Sequence, residues 1–490
     1  MKTNSLLVIL AACWWAFLNG SAQGAIIVVD VDNDSGALDD DCSLRDALLS
    51  ASINIAVDGC VAGESEVEDV VIINVSGPIQ LNSEIPVFDS VSIATAIGAP
   101  MVEILAADDD RIFRVNSTGS TDLSFSVANL KFTGGTAQSN GGGAIYFFRN
   151  GGTFNEIVIR DSVFENNHGS SGGAIGLNMT RANQVEIINN QFINNSSENL
   201  GGAISSISAL KTGLPGAALV MSGNVFKNNV TEGSGGAAWI TNGANFTAEI
   251  SANDFIDNQS LEGGGALSLS GEGMISGTIY RLQRNLFYRN QAATSGGAIE
   301  LYYGSRVFIE HSMFLQNQAS SHGGAIYAFK SNAQVNTYLD INHNTLVLNT
   351  ADFGANIGIT GTELLANNNV IAQPINGQNC SGNFIPIPQL SKYNILGTAG
   401  CGFLDQEPLN IHEDPLLTGF TSNPHYYPGF YPTVNSLALD GGSSALQGTD
   451  LNGNALPQDG DGNGSSIRDI GALEAPTGND VIWSDNMGHN

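Results

Sequence analysis

The chain has 490 residues, enough for two or three ordinary domains or for one long solenoid. It carries 47 acidic against 17 basic residues, a net charge of −30, which argues against nucleic acid as a partner because phosphate binding needs a basic surface. Acidity on this scale favours solubility in a salty medium and suits divalent cations, and it names no reaction.

Residues 1–24 read as a secretory signal, with Lys2 before the apolar run 6–18 and the small residues Gly20-Ser21-Ala22 after it. A rival reading is a lipobox, Leu10-Ala11-Ala12-Cys13, which would lipidate Cys13. No other apolar stretch reaches the about 18 residues of a membrane helix. The expectation is a secreted or cell-surface protein, a monomer with no transmembrane segment in its mature chain.

Residues 25–65 are predicted to cap one end of a solenoid. Ser43 is a suitable helix N-cap, and Asp46 three residues later can complete a capping box. Leu44, Ala47, Leu48 and Ala51 then share one helical face. Arg45 is expected to pin this cap through a salt bridge. Four cysteines remain once the signal is removed, as two local pairs: Cys42 with Cys60 and Cys380 with Cys401. An even count in an exported chain implies two disulfides, and zinc is disfavoured because there is no Cys-x-x-Cys spacing and no nearby histidine.

Residues 66–410 hold the repeats. Seven times an apolar anchor is followed three residues later by asparagine and then by a glycine turn. The anchors are Phe164, Phe192, Phe226, Phe255, Phe287, Phe314 and Leu346, and the asparagines run from Asn167 to Asn349. Gly172-Gly173-Ala174 and Gly296-Gly297-Ala298 are typical turns. Apolar residues five and seven before each anchor give a period of two, which predicts strands. Repeats of 27 to 34 residues built from short strands predict a parallel β-helix. In such a coil equivalent residues stack about 4.8 Å apart, so a column of asparagines can bond to itself and to the turn backbone. A second polar column lies two before the anchor, at Ser162, Asn190, Asn224, Asn253, Asn285, Ser312 and Asn344. His168 and His322 fall between asparagine and glycine turn and are expected to be solvated.

This phrase resembles the repeat of chlamydial polymorphic outer membrane proteins and of bacterial pectin-lyase-like proteins, over roughly residues 125–360. The resemblance implies an all-β, right-handed parallel β-helix. It says little about activity, since that superfamily includes lyases, hydrolases and adhesins. Residues 42–47 resemble the N-terminal Cys-Ser-Leu-Arg-Glu-Ala signature of exported bacterial β-helix proteins, with Asp46 replacing glutamate. Residues 411–475, with Asp450-Leu451-Asn452-Gly453-Asn454 and Arg468-Asp469-Ile470-Gly471-Ala472-Leu473-Glu474, are similar to the choice-of-anchor Q closing region of the same proteins. An insertion at 458–464 places Asp459, Asp461 and Asn463 like the opening of a calcium loop. The bidentate glutamate of such a loop is missing, because Ile470 holds its place, so a polar turn and a weak Ca²⁺ site both stay open. Residues 476–490 form a tail.

Signatures of polygalacturonase-like catalysis are absent. One stretch breaks the repeat: Arg281, Arg284, Arg289 and Arg306 fall among Tyr280, Tyr288, Tyr302 and Tyr303. Arg284, His311 and His343 occupy the same place in consecutive coils and should form a surface column, with Glu300, Glu310 and Asp340 nearby in sequence. On an acidic protein, Arg281, Arg284, Tyr288, Arg306, Glu310, His311 and His343 suit an anionic sugar, because guanidinium pairs carboxylates and tyrosine faces contact sugar rings. The expected function is a non-catalytic adhesion or glycan-binding module acting on an extracellular glycan or cell-surface component. The alternative is a polysaccharide lyase or glycoside hydrolase using the same face.

Overall fold

A computed structural model describes residues 24–475 apart from 35–39, 119–121, 140, 179–180, 208–217, 243–245, 272–277, 331–336, 387–390, 398–399, 418–430, 434, 443–447 and 461–464. The segment expected to be a secretory signal, with Cys13, and the tail 476–490 lie outside the described residues. The chain divides into two compact units, residues 1–247 and 248–490. Each is a parallel β-solenoid.

In the first unit the anchor strands Leu130–Thr133, Val163–Glu165, Gln191–Ile193 and Val225–Lys227 pair in parallel, one per coil. Their register superimposes the anchors, and the rings of Phe132, Phe164, Phe192 and Phe226 stack at 4.9, 5.0 and 4.8 Å. Side chains alternate in and out along a strand, so one ring per coil enters the core. The asparagines behind them form a ladder: Asn167 Nδ2 donates to Asn195 Oδ1 at 3.0 Å, and Asn195 Nδ2 to Asn229 Oδ1 at 3.0 Å. The helix Leu44–Ile53 buries Leu44, Ala47, Leu48 and Ala51. Ser43 caps it by accepting from the Asp46 amide, and Arg45 binds Asp34 in a two-pronged pair at 2.7 Å. Cys42 and Cys60 form a disulfide beside the cap.

The second unit repeats the scheme. Phe255, Phe287 and Phe314 stack at 4.9 and 4.6 Å, and Leu346 and Ile371 continue their row. The main ladder runs Asn258, Asn290, Asn317, Asn349, each bond 3.0 Å. The second ladder extends beyond the last glycine turn, through Asn344, Asn369, Asn394 and Asn410. Cys380 and Cys401 form the second disulfide.

The glycine turns are tight for a measurable reason. A Cβ on Gly297 would lie 2.0 Å from the Gly324 carbonyl oxygen of the neighbouring coil, and Gly296 has φ +67°. Gly297→Ala is therefore expected to cost more than about 3 kcal/mol, since backbone on the next coil cannot move aside. An unchanged thermal midpoint in that variant would contradict this packing.

The closing region does something the sequence did not suggest. Rather than only covering an end, its residues Ile470, Ala472 and Leu473 lie along the flank of several coils, in one buried cluster with Leu286, Met313, Leu315, Val347, Val370 and Ala372. The Ala472 amide donates to Thr345 Oγ1 and the Gly471 amide to the Asn368 carbonyl. The carboxylates of the motif face its own backbone: Asp469 accepts the amides of Asp440 and Ala475, and Glu474 those of Gln458 and Asp469.

A candidate ligand-binding face on the second unit

The column of Arg284, His311 and His343 forms, each residue in a left-handed turn with φ near +50°. The two imidazoles stack 5.1 Å apart. The expectation of an open surface column is corrected, however, because the closing region covers it. Arg284 Nη1 donates to Thr449 Oγ1 at 2.9 Å, and Arg468 Nη2 donates to His311 Nε2 at 3.1 Å. His343 is 2 % exposed and Arg468 1 %. Neither ring nitrogen of His343, nor Nε and Nη1 of Arg468, has a hydrogen-bond partner among the described residues. Burial, then the nearby Arg468 and Arg284, hold His311 down at about 3, and burial, then His311 and Arg468, hold His343 at about 2. Both rings are therefore neutral beneath the closing region.

Tyr288 and Arg289 also leave the expected face. Tyr288 lies against the closing cluster with the Arg289 guanidinium over its ring, and Arg289 is paired with Asp257 at 2.6 Å. Tyr280 is fully buried, with its hydroxyl donating to the Ser270 carbonyl.

Arg281, Arg306 and Glu310 do share a face. They point outward from the parallel strands Ile279–Gln283 and Arg306–Glu310, where alternation sends Tyr280, Leu282, Val307 and Ile309 into the core. Register places Phe308 between Arg281 and Asp340, and Tyr338 between Arg306 and Glu363. The Arg281 guanidinium lies over the Phe308 ring at 5.1 Å, and that of Arg306 over Tyr338 at 5.3 Å. Phe308 and Tyr338 are themselves 5.8 Å apart. Beside them a chain of ring contacts of 4.9 to 5.8 Å joins Tyr303, Tyr302, Phe329, Tyr327, His322 and Phe353. His322, expected to be solvated, is thus half-buried within an aromatic strip.

Two carboxyl groups on this face have unusual environments. Burial, then the neighbouring Glu262, pushes Glu300 up to about 7, with its carboxyl group lying directly over Gly263. Burial, then Glu310, pushes Asp340 up to about 6, while the Tyr338 hydroxyl donates to it at 3.4 Å. The face therefore combines flat rings, cationic planes and carboxyl groups raised towards neutrality.

Sequence reasoning found the arginines and missed Phe308, Tyr327, Phe329, Tyr338 and Phe353. For Phe308, Tyr327, Phe329 and Tyr338 the signal was present in the outward half of the period-two pattern, which was read only for its inward half, whereas Phe353 lies in the turn before Gly354. Of the calcium-loop residues, Asp459 is described, whereas Asp461 and Asn463 lie outside the described residues. Among the described residues no cluster of three or more metal-binding side chains forms, and no helix is long and apolar enough to cross a membrane.

Residues 312–328 match the Chlamydia polymorphic membrane protein repeat. That span is about half of one coil, from Ser312 through Phe314, Asn317 and the glycine turn to Ala328, so the likeness lies in the residues that build the solenoid. No curated protein and no solved structure matches the chain. The repeat match and the two disulfides fit an extracytoplasmic, surface-exposed β-solenoid.

Proposed function

We propose that the protein is a non-catalytic surface module that binds acidic glycans on the outer face of its second unit. One observation carries this reading. Arg281 and Arg306 are stacked on aromatic rings and have no carboxylate partner among the described residues, whereas Arg45, Arg111, Arg114, Lys131 and Arg289 are ion-paired. In a chain of net charge −30, unpaired guanidiniums beside aromatic faces supply the contacts a uronate residue needs: paired donors for its carboxylate and a flat surface for its ring.

Polygalacturonate and hyaluronan, immobilised and titrated with the protein, test the reading. The double variant Arg281→Gln, Arg306→Gln is expected to bind at least about tenfold more weakly, and added salt to weaken the wild type. Unchanged binding in the double variant would remove this face from consideration. The raised values of Glu300 and Asp340 favour a second reading, a lyase or hydrolase on the same face. Release of unsaturated uronides, followed by their ultraviolet absorbance, would decide for a lyase.

A further inference from the structure

A second concave site lies in the first unit, independent of the face above. It is a cleft of about 420 Å³ whose walls include Glu84, Asp109, Arg114, Gln138 and Phe148. Its floor is the Arg111 guanidinium, stacked over Tyr146 at 4.9 Å. Nε of Arg111 donates to the Gly142 carbonyl at 2.6 Å, Nη2 to the Ser139 carbonyl at 3.2 Å and Nη1 to Glu84 at 2.8 Å. Glu84 turns its other oxygen to Arg114 Nε at 3.2 Å. Asp110 spends both oxygens on the amides of Glu84 and Arg111.

These bonds fix the floor and leave a defined set of groups facing outward. The Arg114 side chain is 45 % exposed, and its terminal nitrogens hold no hydrogen bond among the described residues. Parallel pairing sets the strand of Tyr146 and Phe148 beside that of Arg114, with the Phe148 ring 41 % exposed and 6.1 Å from Tyr146. Asp109 sits in a left-handed turn at the wall, and Gln138 is exposed. The cleft thus offers a ring face, a donor, an acceptor and an amide that is both.

We infer that this cleft binds a neutral hexose residue of a glycan. Adjacent sugar hydroxyls each donate and accept, so they need a carboxylate and a guanidinium or amide together, while the apolar face of the pyranose needs an aromatic ring. An anionic sugar is disfavoured here. Glu84, Asp109 and Asp110 outweigh Arg111 and Arg114 by one charge. The two sites therefore differ in ligand class.

Saturation-transfer NMR and titration calorimetry with cello-, malto-, manno- and galactotriose test the assignment, with trigalacturonate as the charged comparison. At least one neutral trisaccharide is expected to bind, and Phe148→Ala and Arg114→Gln each to weaken it roughly tenfold. Arg306→Gln, on the other face, is expected to leave this binding unchanged. Both cleft positions are exposed, and matching circular dichroism and thermal midpoints establish that the variants are folded. Absence of binding by every neutral trisaccharide, tighter binding of trigalacturonate, or indifference to both cleft variants would overturn the assignment. Loss of polygalacturonate binding in the arginine double variant bears on the other site alone.

Discussion

Asn290→Leu is expected to unfold the second unit, or to lower its stability by roughly 4 kcal/mol, through hydrogen bonds rather than lost volume. Asn290 Oδ1 accepts the Asn258 amide at 3.1 Å and the Asn258 side chain at 3.0 Å. Its Nδ2 donates to the Phe255 carbonyl at 2.9 Å and to Asn317 Oδ1 at 3.0 Å. Leucine has similar size and removes the side-chain acceptor of the buried Asn258 amide and the side-chain donor to the Phe255 carbonyl and to Asn317 Oδ1. Each such group costs about 1–3 kcal/mol. Asn290→Asp should be worse than leucine near neutrality, because it loses both donors and adds a buried charge. Urea titration followed by far-ultraviolet circular dichroism measures both variants, and a midpoint within error of wild type would refute the ladder's importance.

The clasp between the closing region and the histidine stack is expected to hold best between about pH 4.5 and 6.5 and to loosen on either side. His311 and His343 have folded values far below 6.5, so the stability they contribute is complete above 6.5 and is lost as pH falls towards about 3 and 2. Asp469, raised by burial and then by Glu474 to about 8, and Glu474, raised chiefly by burial to about 7, act in the opposite sense. Their contribution is complete below 3.8 and 4.5 and is lost as pH rises through about 8 and 7, respectively. Between 4.5 and 6.5 the two slopes oppose each other, which makes a plateau. Arg284, Glu310 and Arg468 face the same cluster. Hydrogen exchange at residues 470–474 reads the clasp directly. In the variant His311→Gln, His343→Leu the plateau should vanish, with protection falling steadily from pH 4.5 to 8. Superimposable profiles for variant and wild type would show that the histidines do not act this way.

The solenoid was legible because its rules are local and repeated. Phe287, Asn290 and Gly297 each recur at a fixed offset, and stacking explains all three. The clasp was not legible by the same route, because Arg468 meets His311 across a separation of 157 residues. A signal did exist. In the first unit the residues flanking the anchors are Val163 and Glu165, Gln191 and Ile193, or Val225 and Lys227. From Phe287 onward they become Leu286 and Tyr288, Met313 and Leu315, then Thr345 and Val347. Outward positions that turn apolar predict a cover, and the closing region is that cover. The histidine column was aligned correctly and misjudged in exposure, because register alone does not show what lies on top.

Coil contacts close over short distances, as with the 27 residues between Asn290 and Asn317. The strip beneath the clasp waits far longer: Thr345 meets Ala472 across 127 positions, and Arg284 meets Thr449 across 165. During synthesis, each coil can settle on its predecessor as it emerges, while Leu286, Met313 and Leu315 remain bare until Ile470, Ala472 and Leu473 arrive. The motif at 468–474 thus seals a flank that the coils alone leave open. A truncated product would carry well-formed coils with a sticky flank, and would be recognisable by its tendency to associate.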